Sequence, residues 1–313
     1  MSAELVSVIV PTHNGVRYLR HTLDSLSGQT YPDVEVIVVD DGSTDDTVAM
    51  AHDHPVRPQV LEQNNSGVAV ARNRGLAAAG GDWVAFIDQD DLWHSERVDA
   101  LLELAHRRHV DAVATTETSF SYASDRIALA SVGDGREGWA KFWIADDDED
   151  ALLTADLPAE GEEEIPLARL LKGAAMVTTA VMYRRELAIA AGGCAPHARA
   201  LDDHLLNLNV ARIAGPITRA RNGQLFYRVH SGSASTFSPM VGPFLSTQAA
   251  LRLGGIFPTD HQIGSNIDHT LFGIGRSELS FADKLGLLLL TTPKGTRARW
   301  MLRWATRQLR IRR

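Results

Sequence analysis

Short β-branched runs alternate with stretches of helical spacing over the first third of the chain. Val6-Ser7-Val8-Ile9-Val10 is an apolar run met by Pro11, which predicts a buried strand that stops there. Leu19, Leu23 and Leu26 recur at helical spacing. Val34 to Val39 predicts a second strand, ending in Asp40-Asp41. Ser43 or Thr44, followed by Asp45 and Asp46, predicts a helix start with acids in its first turn. Val60-Leu61 is a weaker third strand. An Ala-rich helix is expected over 68–79, stopped by Gly80-Gly81. Trp83 to Ile87 predicts a fourth strand, ending in Asp88-Gln89-Asp90-Asp91. A helix from about Ser95 to Arg108 and a strand over 110–116 follow. The alternation predicts an α/β fold with a doubly wound, mainly parallel sheet.

The middle of the chain breaks this rhythm. Asp146 to Glu164 holds ten acidic residues and no basic one, the pattern of a solvated loop or a poorly ordered segment. A strand is expected over 174–183. A helix is expected over 202–214, with Leu205, Leu206, Leu208 and Ile213 available for packing. Beyond about residue 240 the pattern is one of helices and loops. The expected division is 1–110 and 111–240 as halves of one domain, with 241–313 as a helical extension.

Composition narrows the class. The 313 residues carry 31 Lys+Arg against 39 Asp+Glu, a formal charge of −8, and are 44% hydrophobic. Such a chain buries a core, and its acidity argues against nucleic acid as a partner. A single cysteine, Cys194, excludes an intramolecular disulfide and a cysteine-based zinc cluster, and fits a reducing, cytoplasmic setting. The N-terminus lacks the basic region of a signal peptide, and no apolar run approaches the roughly 20 residues of a membrane span. The charge is unevenly spread. Lys294 and seven arginines lie within 294–313 without one acid. On a helix, Arg299, Arg303, Arg307 and Arg310 share one side. Trp300, Met301, Leu302, Trp304, Ala305 and Leu309 fill most of the other. Two readings stand: peripheral contact with an anionic membrane on its inner face, or docking of the apolar side on the domain.

Ligands of parallel sheets bind outside the carboxyl ends of the strands. Three polar clusters are expected there: Pro11-Thr12-His13-Asn14, Asp40-Asp41 and Asp88-Gln89-Asp90-Asp91. Carboxylates so crowded need a cation or hydrogen-bond donors. Neither a G-x-G-x-x-G nor a G-x-x-x-x-G-K-[ST] is present. Phosphates would instead be neutralised by Mn²⁺ or Mg²⁺ on Asp88, Asp90 and Asp91, with Arg72 and Arg74 adding positive charge.

Four blocks in order carry a family resemblance. They are Val8-Ile9-Val10-Pro11-Thr12-His13-Asn14-Gly15, Val38-Val39-Asp40-Asp41-Gly42-Ser43-Thr44-Asp45, Asn65 to Gly75, and Phe86-Ile87-Asp88-Gln89-Asp90-Asp91. Together they resemble the family-two glycosyltransferases with the A-type fold, over roughly residues 5 to 110 and more faintly to about 240. The resemblance implies a nucleotide-sugar donor bound by residues 1–110, an acceptor bound by 111–240, and inversion at the transferred sugar. It implies Pro11 and Thr12 in the base pocket, with Asn14 in the same donor-binding set. Asp40 or Asp41 would accept from the pyrimidine, Arg72 would lie near the nucleotide, Asp88 toward the ribose or sugar, and Asp90 on the metal. Leu201-Asp202-Asp203-His204 is similar to the family's Glu-Asp pair, with Asp in place of Glu at the first position, and implies Asp203 as general base. Asp202 is then a helix cap, and His204 a surface or packing residue. Tyr227-Arg228-Val229-His230 resembles the segment in which Arg228 would pair with phosphate and His230 would ligate the metal. Gly192-Gly193-Cys194 resembles a Gly-Gly-Phe turn, with Cys194 a packing residue. The expected activity is metal-dependent transfer from a UDP or dTDP sugar to a hydroxyl-bearing acceptor, in polysaccharide, glycolipid or other glycoconjugate biosynthesis. The alternatives are a nucleotidyltransferase acting on sugar phosphates, which would want a Gly-rich basic loop after the first strand, and a non-catalytic nucleotide-sugar-binding protein.

Overall fold

The structure, a computed structural model, describes residues 4–132, 140–146, 148–157, 160–171, 175–196 and 202–232. The expected extension 241–313 and the basic tail 294–313 lie outside the described residues. In chain order the elements are β1 (Val6–Thr12), α1 (Leu19–Ser27), β2 (Val34–Asp40), α2 (Thr47–Asp53), β3 (Gln59–Glu62), α3 (Val68–Ala78), β4 (Trp83–Phe86), β5 (Leu92–Trp93) and α4 (Arg97–Arg108). They continue with β6 (Ala112–Tyr122), α5 (Asp125–Val132), β7 (Phe142–Ile144), α6 (Asp150–Leu153), β8 (Glu162–Ile165), α7 (Leu167–Leu170), β9 (Val181–Arg184), α8 (Arg185–Ala190), α9 (Asp202–Ala214) and β10 (Ile217–Arg228). Residues 1–166, 176–196 and 202–234 form one compact unit, which carries the sheet. A second unit comprises 167–175, 197–201 and 235–313, and little of it beyond α7 is described.

The sheet runs β3-β2-β1-β4-β9-β6-β10-β5, with β7 added on β6 and β8 on β10. β1 pairs in parallel with β2 and β4, β2 with β3, and β6 with β7 and β10. β9 is antiparallel between β4 and β6, and β5 and β8 are antiparallel to β10. The expected mainly parallel α/β sheet is present, with antiparallel strands threaded into its second half. Alternation along β1 sends Val6, Val8 and Val10 into a core shared with Leu19, Leu23 and Leu26 of α1 and Leu101 and Leu104 of α4. Ile9 faces the other way, onto α3, where a Cβ on Gly75 would stand 2.3 Å from the Ile9 Cγ2. Helices therefore cover both faces.

Several boundaries differ from expectation for identifiable reasons. β1 passes through Pro11 and ends at Thr12. The Ile9 carbonyl accepts from Ile87, and pairing with β4 ends at Ile9. Pro11, two residues on, faces the side that β4 has left, so its missing N–H costs no ladder bond. α2 starts at Thr47, not at Ser43 or Thr44. Asp40 accepts the N–H groups of Gly42 and Ser43, and Asn14 accepts that of Thr44, which holds this stretch as a turn. β9 is shorter than the expected 174–183 strand, because a 3₁₀ turn over Thr178–Ala180 precedes it. Ile213 is 56% exposed and does not pack. β10 was not visible in the pattern, because its register breaks between Ala220 and Leu225, where Gly223 takes φ 64°.

Most described acids of the acidic run are exposed, as expected, but Glu149, Glu162 and Glu163 are tied to arginines of the unit. Glu162 on β8 pairs with Arg107 (2.7 Å) and Arg108 (2.9 Å) of α4, and Glu163 accepts from the Arg219 Nε at 3.0 Å. Glu149, just before α6, is buried.

Candidate active site

The carboxyl ends of β1, β2 and β4 meet as the alternation predicts. Gln89 holds two of them together: its Oε1 accepts from the Thr12 hydroxyl at 2.6 Å and the His13 N–H at 2.9 Å. Gly15 lies close beneath it: a Cβ there would stand 2.3 Å from that oxygen and would displace the Gln89 amide. Pro11 and Thr12 are buried under this contact. Asn14 is exposed at φ 49°, with its N–H donated to the Ser43 hydroxyl at 2.8 Å. Asp40 accepts the Gly42 and Ser43 N–H groups at Oδ2 and the Ser43 hydroxyl at Oδ1. Asp41 Oδ1 accepts from Gln63 (2.7 Å) and the Ser66 N–H (2.7 Å), while Oδ2 accepts only the Gly67 N–H (2.8 Å) among the described residues. Each of the two acids thus has one oxygen with two donors and one with a single donor among the described residues, and both are buried.

Arg72 joins the two halves of the unit. It is buried in the first turns of α3. Its Nη2 donates to Asp88 at 2.7 Å and its Nη1 to Asp202 at 3.0 Å. Burial pulls the guanidinium pKa down, but Asp88 and Asp202 outweigh it and raise the net value. Burial likewise pushes Asp88 and Asp202 up from the ordinary carboxylate range, against the pull of Arg72. Asp202 is therefore an ion-pair partner for Arg72 as well as the first residue of α9. The half-buried Asp203 is its neighbour, and accepts only the His204 N–H (2.7 Å) among the described residues. His204 is buried, as packing expects. Arg74 does not join this cluster; it is exposed and donates to the Glu62 carbonyl.

The Asp88-Gln89-Asp90-Asp91 segment divides by orientation. Asp88 and Asp90 are half-buried, and the Asp90 Oδ2 lies 2.8 Å from the His230 Nε2. Asp91 is corrected from its expected place among metal ligands. It is buried at 1% exposure, its oxygens taken by the Arg228 N–H at 3.1 Å and the Thr179 hydroxyl at 3.2 Å. Burial first, then Asp90 and Asp88, push its pKa well up. Arg228 is also corrected as a phosphate partner. Its guanidinium is enclosed by the rings of Tyr18, Phe120 and Tyr122 at 4.5 to 4.8 Å and pairs with Glu149 at 3.1 Å. Among the described residues no three His, Cys, Asp or Glu side chains converge as a metal cage. Asp90 and His230 meet at 2.8 Å, and Asp88 is held by Arg72. Mg²⁺ and Mn²⁺ take one or two carboxylates and complete their shell with substrate oxygens, a demand that Asp88 and Asp90 fit.

No local pattern marks Gln89, Glu149 or Tyr18 for these contacts. Gln89 sits between Asp88 and Asp90, and Glu149 lies in a run whose composition is that of a solvated loop. Cys194 is buried beside Asn73, which accepts its N–H and donates to its carbonyl, and burial pushes the thiol up to about 12. It packs, as expected, behind the positive-φ pair Gly192-Gly193.

A family model described as Glycosyl transferase family 2 matches residues 7–189. That is more than half of the chain, and the chain belongs to this family. Glycosyltransferase GlyA of Streptococcus pneumoniae serotype 4 is 35% identical over 134 residues, 41% of this chain and 19% of its own. The chain spans less than half the length of the curated relatives it matches. Among solved structures, S. aureus TarS 1–349 in complex with UDP superposes with a TM-score of 0.67 at 19% identity, over 94% of this chain and 82% of that one. The mannosyltransferase PcManGT from Pyrobaculum calidifontis, in complex with GDP-Man and Mn²⁺, gives 0.54 at 17% identity, over 96% and 84%. These two likenesses concern the fold. No helix among the described residues is long and apolar enough to cross a membrane.

Proposed function

We propose that the chain transfers a sugar from a nucleoside-diphosphate sugar, of UDP or dTDP type, to a hydroxyl-bearing acceptor with inversion. The observation that carries this reading is the Asp88–Arg72–Asp202 bridge. It ties the acidic segment after β4 to the start of α9, so that a half-buried acid, Asp203, stands beside the place where a diphosphate would be held. In this reading Asp40 or Asp41 accepts from the base, and Thr12 and Gln89 shape the pocket floor. Asp203 takes the proton of the acceptor hydroxyl as its oxygen bonds to the anomeric carbon. The bond from that carbon to the diphosphate breaks, and the nucleoside diphosphate leaves. Asp88 and Asp90, with His230, would hold Mn²⁺ or Mg²⁺. When bound, such an ion stabilises the negative charge that grows on the diphosphate. Membership of the glycosyltransferase family favours this over nucleotidyl transfer, as does the lack of a Gly-rich basic loop after β1.

The test is release of nucleoside diphosphate from a panel of nucleotide sugars with Mn²⁺ and candidate acceptors. Asp203→Asn is expected to lower turnover at least 100-fold while leaving UDP binding within about twofold, in line with the 10²–10⁴-fold typical of a general base. Full transfer by that variant would remove Asp203 from the mechanism. Full transfer in excess chelator would remove the metal. Pyrophosphate as the released product would favour the nucleotidyltransferase.

A further inference from the structure

We infer that Glu149 is a positioning residue for the Asp88–Asp91 segment, acting through Arg228. The inference deepens the proposed reading, since its consequence for activity rests on Asp90 serving the diphosphate end of the site.

Glu149 comes from the acidic run, outside the four blocks that carry the family resemblance. Its carboxylate is 5% exposed and is approached from three sides. The Tyr122 hydroxyl donates to Oε1, Arg228 Nη2 donates to the same oxygen at 3.1 Å, and His21 Nδ1 stands 3.5 Å from Oε2. Arg228 has no exposure at its side chain, and three aromatic faces surround its guanidinium. A guanidinium so enclosed needs a fixed counter-charge, and Glu149 supplies it. Held in that orientation, Arg228 grips the acidic segment at two points. Its Nε donates to the Asp90 carbonyl at 2.8 Å, and its backbone N–H donates to the Asp91 carboxylate at 3.1 Å. The same Tyr18 ring that covers Arg228 packs against His230, centroids 4.6 Å apart, and His230 reaches the Asp90 carboxylate. Asp90 is thus fixed at its carbonyl by Arg228 and at its carboxylate by His230. Both supports lean on one aromatic box closed by Glu149. An acid from the apparent loop therefore sets where the Asp90 carboxylate points.

The test uses the full chain and two measurements. In Glu149→Gln, amide hydrogen exchange over residues 88–93 is expected to quicken at least tenfold, with β2 (34–40) unchanged. The Mn²⁺ concentration for half-saturation in the presence of UDP is expected to rise at least fivefold. Exchange over 88–93 within twofold of the wild type overturns the inference. If the single variant exchanges faster everywhere, Glu149→Leu/Arg228→Met decides, because it leaves neither charge alone in the interior. It should protect β2 and leave 88–93 fast, and wild-type protection of 88–93 in it overturns the inference. Global unfolding of both variants assigns the pair to the fold as a whole and overturns the positioning role. If the wild type binds no Mn²⁺ with UDP, the metal reading fails on its own, and the exchange comparison still decides the role of Glu149.

Discussion

Arg72 shows how one side chain can serve fold and site together. It is buried, and two carboxylates from segments 130 residues or fewer away in sequence lean on it. Removing it leaves the buried Asp202 without its counter-charge and frees the half-buried Asp88. Breaking a buried pair from one side costs about 3–5 kcal/mol, so Arg72→Met is expected to lower stability by about that amount in urea unfolding. Transfer activity should fall with it, since Asp88 and Asp202 lose their common anchor. Cys194 gives a second prediction. Its thiol is held up to about 12, above the ordinary value, so the folded protein binds that proton more tightly than the unfolded chain. The stabilising contribution is complete below the unfolded pKa near 9.0 and is lost as pH rises from there through about 12. At pH 8 the thiol should resist an aromatic disulfide reagent until urea unfolds the chain. Rapid labelling of the native protein would contradict the burial.

At the scale of elements, α3 depends on a close approach to β1. Gly75 lies over Ile9 with no room for a methyl group. Gly75→Ala is expected to destabilise by about 1–3 kcal/mol, the ordinary range for overpacking, despite the better helix propensity of alanine. Equilibrium denaturation would show the sign. Most early elements were legible because each is a β-branched run or a helical stripe with a turn or polar residue at its end. β10 was not, because Arg219 to Gln224 is polar and takes its place through pairing with β6, β8 and β5. The acidic run is solvated at most of its acids, as its composition implies, but Glu149, Glu162 and Glu163 each find an arginine from a distant element, and Glu149 is buried.

At the scale of the whole molecule, donor binding should be read in stability. A ligand that binds only the folded state at 100 times its Kd adds about 2.7 kcal/mol. UDP with Mn²⁺ is therefore expected to raise the Tm by several degrees, and UDP with chelator by less. Equal shifts in the two conditions would argue against an ion between Asp88, Asp90 and the diphosphate.

The residues by themselves determined the alternation of strands and helices, the three polar strand ends and the family blocks. Each is a local pattern, set by side-chain period and turn chemistry within a few neighbours. Which of those acids face the site was decided only by the tertiary structure. Asp88, Asp90 and Asp91 stand almost adjacent in sequence. Burial and the Arg228 backbone turn Asp91 inward, Arg72 holds Asp88, and His230 meets Asp90. The same holds for Asp202 and Asp203, one an ion-pair anchor and the other half-open, and for Arg228, drawn away from phosphate into an aromatic box. These assignments depend on partners up to 140 residues apart, and no local pattern encodes which of several equivalent charges a distant arginine will reach.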